Sequence, residues 1–159
     1  MRRLLVGLIL VLAAVSVGAH AQEKAQGRSV AVFAGGCFWC TEADFDKVPG
    51  VLATVSGYIA GKASTATYAQ VSAGGTGHAE AVEVTYDPAK VSYQQLLDVY
   101  WRSIDPTVKD AQFCDHGDQY RSAIFVRNAA EKKLAEASKK KVEAELKKLN
   151  LGAAEYRDV

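Results

Sequence analysis

The chain has 159 residues, with 19 Lys and Arg against 18 Asp and Glu, a formal net charge of +1. Its 49% hydrophobic and 23% charged residues make a globular balance, which excludes a disordered polyampholyte and a membrane bundle. The near-zero charge argues against an extended phosphate-binding surface, so nucleic acid is not an expected partner, and 3 prolines with 13 glycines exclude a collagen-like or proline-rich chain.

Residues 1–21 read as a secretory signal peptide. Arg2 and Arg3 form a positive start, Leu4 to Ala19 is an uncharged and mostly apolar run, and Ala19-His20-Ala21 is an A-x-A cleavage site. The run is short for a membrane anchor. Cleavage after Ala21 predicts an exported, periplasmic protein without stable membrane association. Residues 22–28 read as a mobile linker and 29–159 as one domain. A domain of that size needs neither disulfides nor metal to fold. Cys37, Cys40 and Cys114 all lie in it, and an odd count leaves at least one thiol over.

Ser29 to Ala34 alternates and reads as a strand, broken by Gly35-Gly36. Cys37 to Val48 reads as a helix with Phe38, Ala43, Phe45 and Val48 inward. Val51 to Ile59 is a second strand, fenced by Pro49-Gly50 and Gly61. Lys62 to Gly77 is a Gly, Ser, Thr and Ala-rich loop with one short turn around Tyr68. His78 to Tyr86 alternates as a third strand, Glu80, Val82, Val84 and Tyr86 sharing one face. Ser92 and Gln95 spell a capping box for a helix with Leu96, Leu97, Tyr100 and Ile104 on one stripe. Asp105 to Gln119 is a second long loop, and Ser122 to Val126 a fourth strand. Asn128 caps a last helix expected to bury Leu134, Val142, Leu146 and Leu149 and to expose a solvated lysine face. This order predicts an α+β fold: a two-layer α/β sandwich with a mixed sheet around a split β-α-β, ferredoxin-like core.

The chemistry gathers in three places. In Gly35-Gly36-Cys37-Phe38-Trp39-Cys40 the glycines let the chain turn tightly and Cys37 falls at a helix start, where unpaired N–H groups favour a thiolate. Cys40 lies one helical turn on, within disulfide reach. A C-x-x-C also suits zinc, with Cys114 and His78 or His116 completing a set, but paired ligand knuckles are missing. In Gly77-His78-Ala79-Glu80, the alternation turns Glu80 to the valine side, where burial would raise its pKa and suit it to act as a general acid. The loop Cys114-Asp115-His116-Gly117-Asp118-Gln119-Tyr120-Arg121 packs titratable and aromatic groups together. Tyr68 and Tyr120 carry hydroxyls that can donate to a developing negative oxygen.

At these residues, from about Val30 to Phe125, the sequence resembles the methionine sulfoxide reductase A family. The resemblance is carried by Gly36-Cys37-Phe38-Trp39, Gly77-His78-Ala79-Glu80 and Asp115-x-Gly117-x-Gln119-Tyr120-Arg121-Ser122-Ala123-Ile124, three motifs in the family's order. It implies reduction of the S epimer of methionine sulfoxide, free or in proteins, as repair of oxidative damage. Cys37 attacks the sulfur, Phe38 and Trp39 cage the methyl group, and Glu80 gives a proton to the oxygen. Tyr68 and Tyr120 hydrogen-bond that oxygen, and Asp115 orients substrate and water. The sulfenic acid left on Cys37 becomes a disulfide with a resolving cysteine. No cofactor is bound; thioredoxin or another dithiol is the reductant, and the enzyme is expected to act as a monomer. The family's C-terminal recycling cysteines have no counterpart before Val159, so the resolving thiol is Cys40, with Cys114 as the alternative. Two other readings stay open: a thioredoxin-like dithiol oxidoreductase using Cys37 and Cys40, which would need a cis-proline loop, and an inactive, truncated sulfoxide- or peptide-binding protein.

Overall fold

A computed structural model describes residues 27–153 and the backbone of residues 157–158. The expected signal peptide and linker residues 22–26 lie outside the described residues. Five strands form one sheet in the order β2-β3-β1-β6-β7, from β1 (Ser29–Gly35), β2 (Val51–Ile59), β3 (Ala79–Tyr86), β6 (Ser122–Phe125) and β7 (Arg157–Asp158). A small hairpin, β4 (Ala111–Gln112) and β5 (Asp115–His116), stands apart from it. The helices are α1 (Phe38–Phe45), α2 (Tyr68–Ser72), α3 (Tyr93–Ser103) and α4 (Ala129–Leu149). β3 lies antiparallel between β1 and β2, and β1 lies antiparallel between β3 and β6, which is the split β-α-β arrangement. β7 pairs parallel with β6, so the sheet is mixed, as expected from the sequence.

The period-2 alternation of β1 and β3 sends Phe33, Val82 and Val84 into the main core, against Phe45, Leu96, Leu97 and Tyr100. The Phe33 ring stacks on Phe45 at 5.0 Å and on Tyr100 at 5.2 Å. The buried Tyr100 hydroxyl donates to the Ala34 carbonyl at 2.9 Å and so ties α3 to the end of β1 that leads into the Cys37 turn. The Ser92–Gln95 capping box forms as its spelling predicts, with Ser92 Oγ accepting from the Gln95 N–H.

Four expectations need correction. α1 stops at Phe45 instead of Val48, because Val48 precedes Pro49 and is driven out of the helical region. Its buried stripe is Phe38, Thr41 and Phe45, and Ala43 faces solvent. The loop after Lys62 holds a 3-10 turn at Ala63–Thr65 as well as α2, and the Asp105–Gln119 loop holds the β4–β5 hairpin. In α4 the buried positions are Glu131, Ala135, Ser138 and Leu146 with Val142 half-buried, while Leu134 and Leu149 are exposed. α4 has 21 residues and packs on α3, which has 11, so its last turn outruns its partner.

The turn between β1 and α1 is fixed by a close approach. Gly36 has φ +88°, and a Cβ there would stand 2.5 Å from Cβ of the buried Gln112. Gln112 cannot yield, since its side chain accepts from the Asp105 N–H and donates to the Asp105 carbonyl and to Ser122 Oγ. Gly36→Ala is therefore expected to lower stability by about 1–3 kcal/mol, from left-handed strain and the clash together. Urea unfolding reads this directly, and a midpoint equal to that of the parent protein would contradict it.

Candidate active site

Cys37 is the N-cap residue of α1, and its carbonyl accepts the N–H groups of Cys40 and Thr41 at 3.1 and 3.2 Å. The Thr41 hydroxyl adds a third donor to the same carbonyl at 3.3 Å. This fixes the backbone of the turn while leaving the Cys37 side chain uncommitted to capping. The next residue supplies the central link: the Phe38 N–H donates to Glu80 Oε2 at 3.1 Å, in a buried setting. Glu80 is only 2% exposed, as its place on the valine face of β3 predicts.

Burial is the largest influence on Glu80 and raises its pKa above the ordinary carboxyl value. The Phe38 N–H works the other way, and the charge of Asp115 adds to the rise. Tyr120 is likewise pushed up by burial, then by Glu80, Asp115 and Tyr68. Cys40 is pushed up first by burial, then by the charge of Cys37 and by a hydrogen bond to it, with Asp115 contributing. These mutual influences gather Glu80, Asp115, Tyr68, Tyr120, Cys37 and Cys40 into one site, although they come from five separate segments.

The aromatic residues divide into a floor and a wall. Phe38 is buried, while Trp39 is 61% exposed and stacks on Tyr68 at 6.2 Å and 21°. The two rings of the Phe38-Trp39 pair lie 5.5 Å apart. The open aromatic surface beside Cys37 is thus Trp39 with Tyr68, and Phe38 forms its base. All three cysteines are free thiols, with Cys37 half-buried and Cys40 and Cys114 exposed. Cys114 sits at the tip of the β4–β5 hairpin, just before Asp115.

One residue that could have served a metal is occupied otherwise. His78 is buried, with Nε2 3.0 Å from the Lys62 carbonyl and its ring pressed on Gly61. Among the described residues no three His, Cys, Asp or Glu side chains converge as a metal-binding group. Arg121 acts as a staple: its guanidinium donates to the carbonyls of Gly77 and His78 at 3.0 Å and to that of Asp118, binding the start of β3 to the Tyr120 turn. Tyr58 escapes the reading of the sequence. It lies opposite Glu80 in the β2–β3 register, and its ring contacts Phe38 at 5.7 Å. Strand alternation puts Tyr58 on a face but does not say which residue of a distant strand stands beside it.

The fold agrees with the comparisons. Residues 29–152 match the family model for peptide methionine sulfoxide reductase, and the chain belongs to that family. It is 50% identical over 118 residues to the peptide methionine sulfoxide reductase MsrA of Bacillus licheniformis, covering 74% of this chain and 65% of that one. It is 51% identical over 146 residues to MsrA 2 of Caulobacter vibrioides, covering 88% of this chain and 73% of that one. The structure of methionine sulfoxide reductase A of Corynebacterium diphtheriae superposes with a TM-score of 0.77 at 31% identity, over 82% of this chain and 63% of that one. The chain thus spans slightly under two-thirds of the Bacillus relative's length.

The environment of Glu80 has a thermodynamic consequence. A carboxyl whose pKa is raised on folding contributes stability below its unfolded value, near 4.5, and loses it as pH climbs through the folded value. Glu80→Gln removes this titration and keeps an oxygen for the Phe38 N–H. The variant is expected to gain stability relative to the parent as pH rises from the ordinary carboxyl value through the raised folded one. Parallel stability curves for the two proteins across that range would contradict it.

Proposed function

We propose that this chain reduces the S epimer of methionine sulfoxide, free or in proteins, to methionine. The observation that carries the reading is the contact between the Cys37 turn and Glu80: the residue after the nucleophile donates its N–H to a buried, proton-retaining carboxyl. Family membership supports the substrate class. Cys37 attacks the sulfoxide sulfur as a thiolate, Glu80 hands its proton to the oxygen, and Tyr68 and Tyr120 donate hydrogen bonds to that oxygen as charge develops. The attack forms a bond between Cys37 Sγ and the substrate sulfur, and the protonated oxygen leaves as water; a water then attacks Cys37 Sγ, the sulfur–sulfur bond breaks with its electron pair going to methionine, and Cys37 is left as a sulfenic acid. Asp115 orients substrate and the water involved. Trp39, with Phe38 beneath it, receives the methyl group.

The Cys40 thiol then attacks the sulfenic sulfur, a Cys37–Cys40 disulfide forms, and the oxygen departs as water. Cys40 is the better resolving thiol than Cys114, because it stands one helical turn from Cys37 along α1 and feels that residue's charge. A thioredoxin-class dithiol reduces the disulfide, taking up its oxidation; yeast Mxr1, a structural neighbour at 21% identity, was crystallised in complex with Trx2. The protein works as a monomer and is exported to the periplasm after cleavage behind Ala21; the signal sequence at residues 1–21 supports the export. N-terminal sequencing of the exported protein should begin at Gln22; an intact Met1 would overturn that placement.

One turnover without reductant tests the chemistry. Methionine should form with the parent protein and with the Cys40→Ser/Cys114→Ser double variant, and should vanish in Cys37→Ser. Peptide mapping of the parent protein after that turnover should find Cys37 joined to Cys40. Methionine formed by Cys37→Ser would overturn the nucleophile, and none formed by the parent would favour a sulfoxide-binding protein without activity. A Cys37–Cys114 bridge would transfer the resolving role to Cys114.

A further inference from the structure

Tyr58 is an aromatic residue at the site for which the reaction above has no use, yet its ring meets both Phe38 and His78. It stands level with Glu80 in the β2–β3 register, so the two side chains leave the sheet on the same face. Its ring lies 5.7 Å from the ring of Phe38, whose N–H holds the carboxyl, and 6.0 Å from His78 in an edge-on contact. We propose that Tyr58 is a positioning residue for Glu80: its ring closes the β2 side of the carboxyl's seat and keeps water from it.

Among the described residues β2 is the edge strand of the sheet, and no further strand there shields Glu80 on that side. The groups that act on the carboxyl are the Phe38 N–H from α1 and Asp115 from β5, and its own charge reaches Tyr58 and Tyr120, the latter from the turn before β6. Tyr68 of α2 acts on both tyrosines. Of these, the Phe38 N–H favours the ionised carboxyl. Exclusion of water is what opposes it, and the ring of Tyr58 supplies that exclusion on the exposed flank. The ring and not the hydroxyl carries the role.

The test is the titration of Glu80 itself, followed by carbon NMR of glutamate labelled at the side-chain carboxyl, with the signal identified by its loss in Glu80→Gln. Tyr58→Phe should leave the Glu80 midpoint within about 0.3 pH unit of the parent, and Tyr58→Ala should lower it by about one unit or more toward the ordinary carboxyl value. Tyr58→Val, a residue suited to strands, gives the same opening should the alanine variant fail to fold. An unmoved midpoint in Tyr58→Ala or Tyr58→Val would overturn the proposal, and so would an equal drop in Tyr58→Phe. This titration needs no turnover, so an inactive parent protein would count against the reaction proposed above and not against Tyr58. The catalytic consequence rests on that reaction: the pH at which single-turnover methionine formation declines should fall with the NMR midpoint. A decline that stays in place while the midpoint moves would overturn the link to catalysis.

Discussion

The hydrogen bond from the Phe38 N–H to the Glu80 carboxyl is the joint on which this structure turns. It joins the first residue of α1 to the start of the site-facing strand, across 42 residues of sequence, and it does so in a buried setting. The N-terminal N–H groups of a helix need partners, and an acid taken from water needs a donor. Each requirement is met by the other. The same bond places Cys37, immediately before Phe38, beside an acid that burial inclines to keep its proton.

That joint is held from several sides by contacts that are not themselves chemical. Gln112 presses on Gly36 and ties the Asp105 loop to Ser122. Tyr100 anchors the end of β1 through the Ala34 carbonyl, and Arg121 staples Gly77 and His78 to the Tyr120 turn. Two long loops that would otherwise cost much entropy to order are thereby fixed around the Cys37 turn. The cost of burying so many polar groups is offset because most of them bond one another; the His78 Nδ1 and Gln119 Oε1 atoms find no partner among the described residues.

Much of this was legible in the sequence, for physical reasons that differ by residue. Glu80 could be placed because strand alternation has a period of two and its neighbours on that face are valines. The two caps were legible because Ser92-x-x-Gln95 and Asn128-x-x-Glu131 need only local geometry, and Asn128 Oδ1 does accept the Glu131 N–H at 2.9 Å. Leu149 was misplaced because helical periodicity describes a face and not the length of the helix it packs on. Ala43 was misplaced because Thr41, a polar residue, took the inward position by donating to the Cys37 carbonyl. Tyr58 was missed because pairing register between β2 and β3 is a property of the folded sheet. The division of Phe38 and Trp39 into base and wall likewise depends on where α1 meets β2, which no spacing reveals.

The central claim is that Glu80, seated on the first N–H of α1, supplies the proton as Cys37 attacks. It is tested most directly by the single-turnover rate of methionine formation in Glu80→Gln, which keeps the shape and the hydrogen bond but has no proton to give. General acid catalysis contributes roughly two to four orders of magnitude, and the rate should fall by that much. A rate within about threefold of the parent protein, far less than such catalysis supplies, would contradict the account.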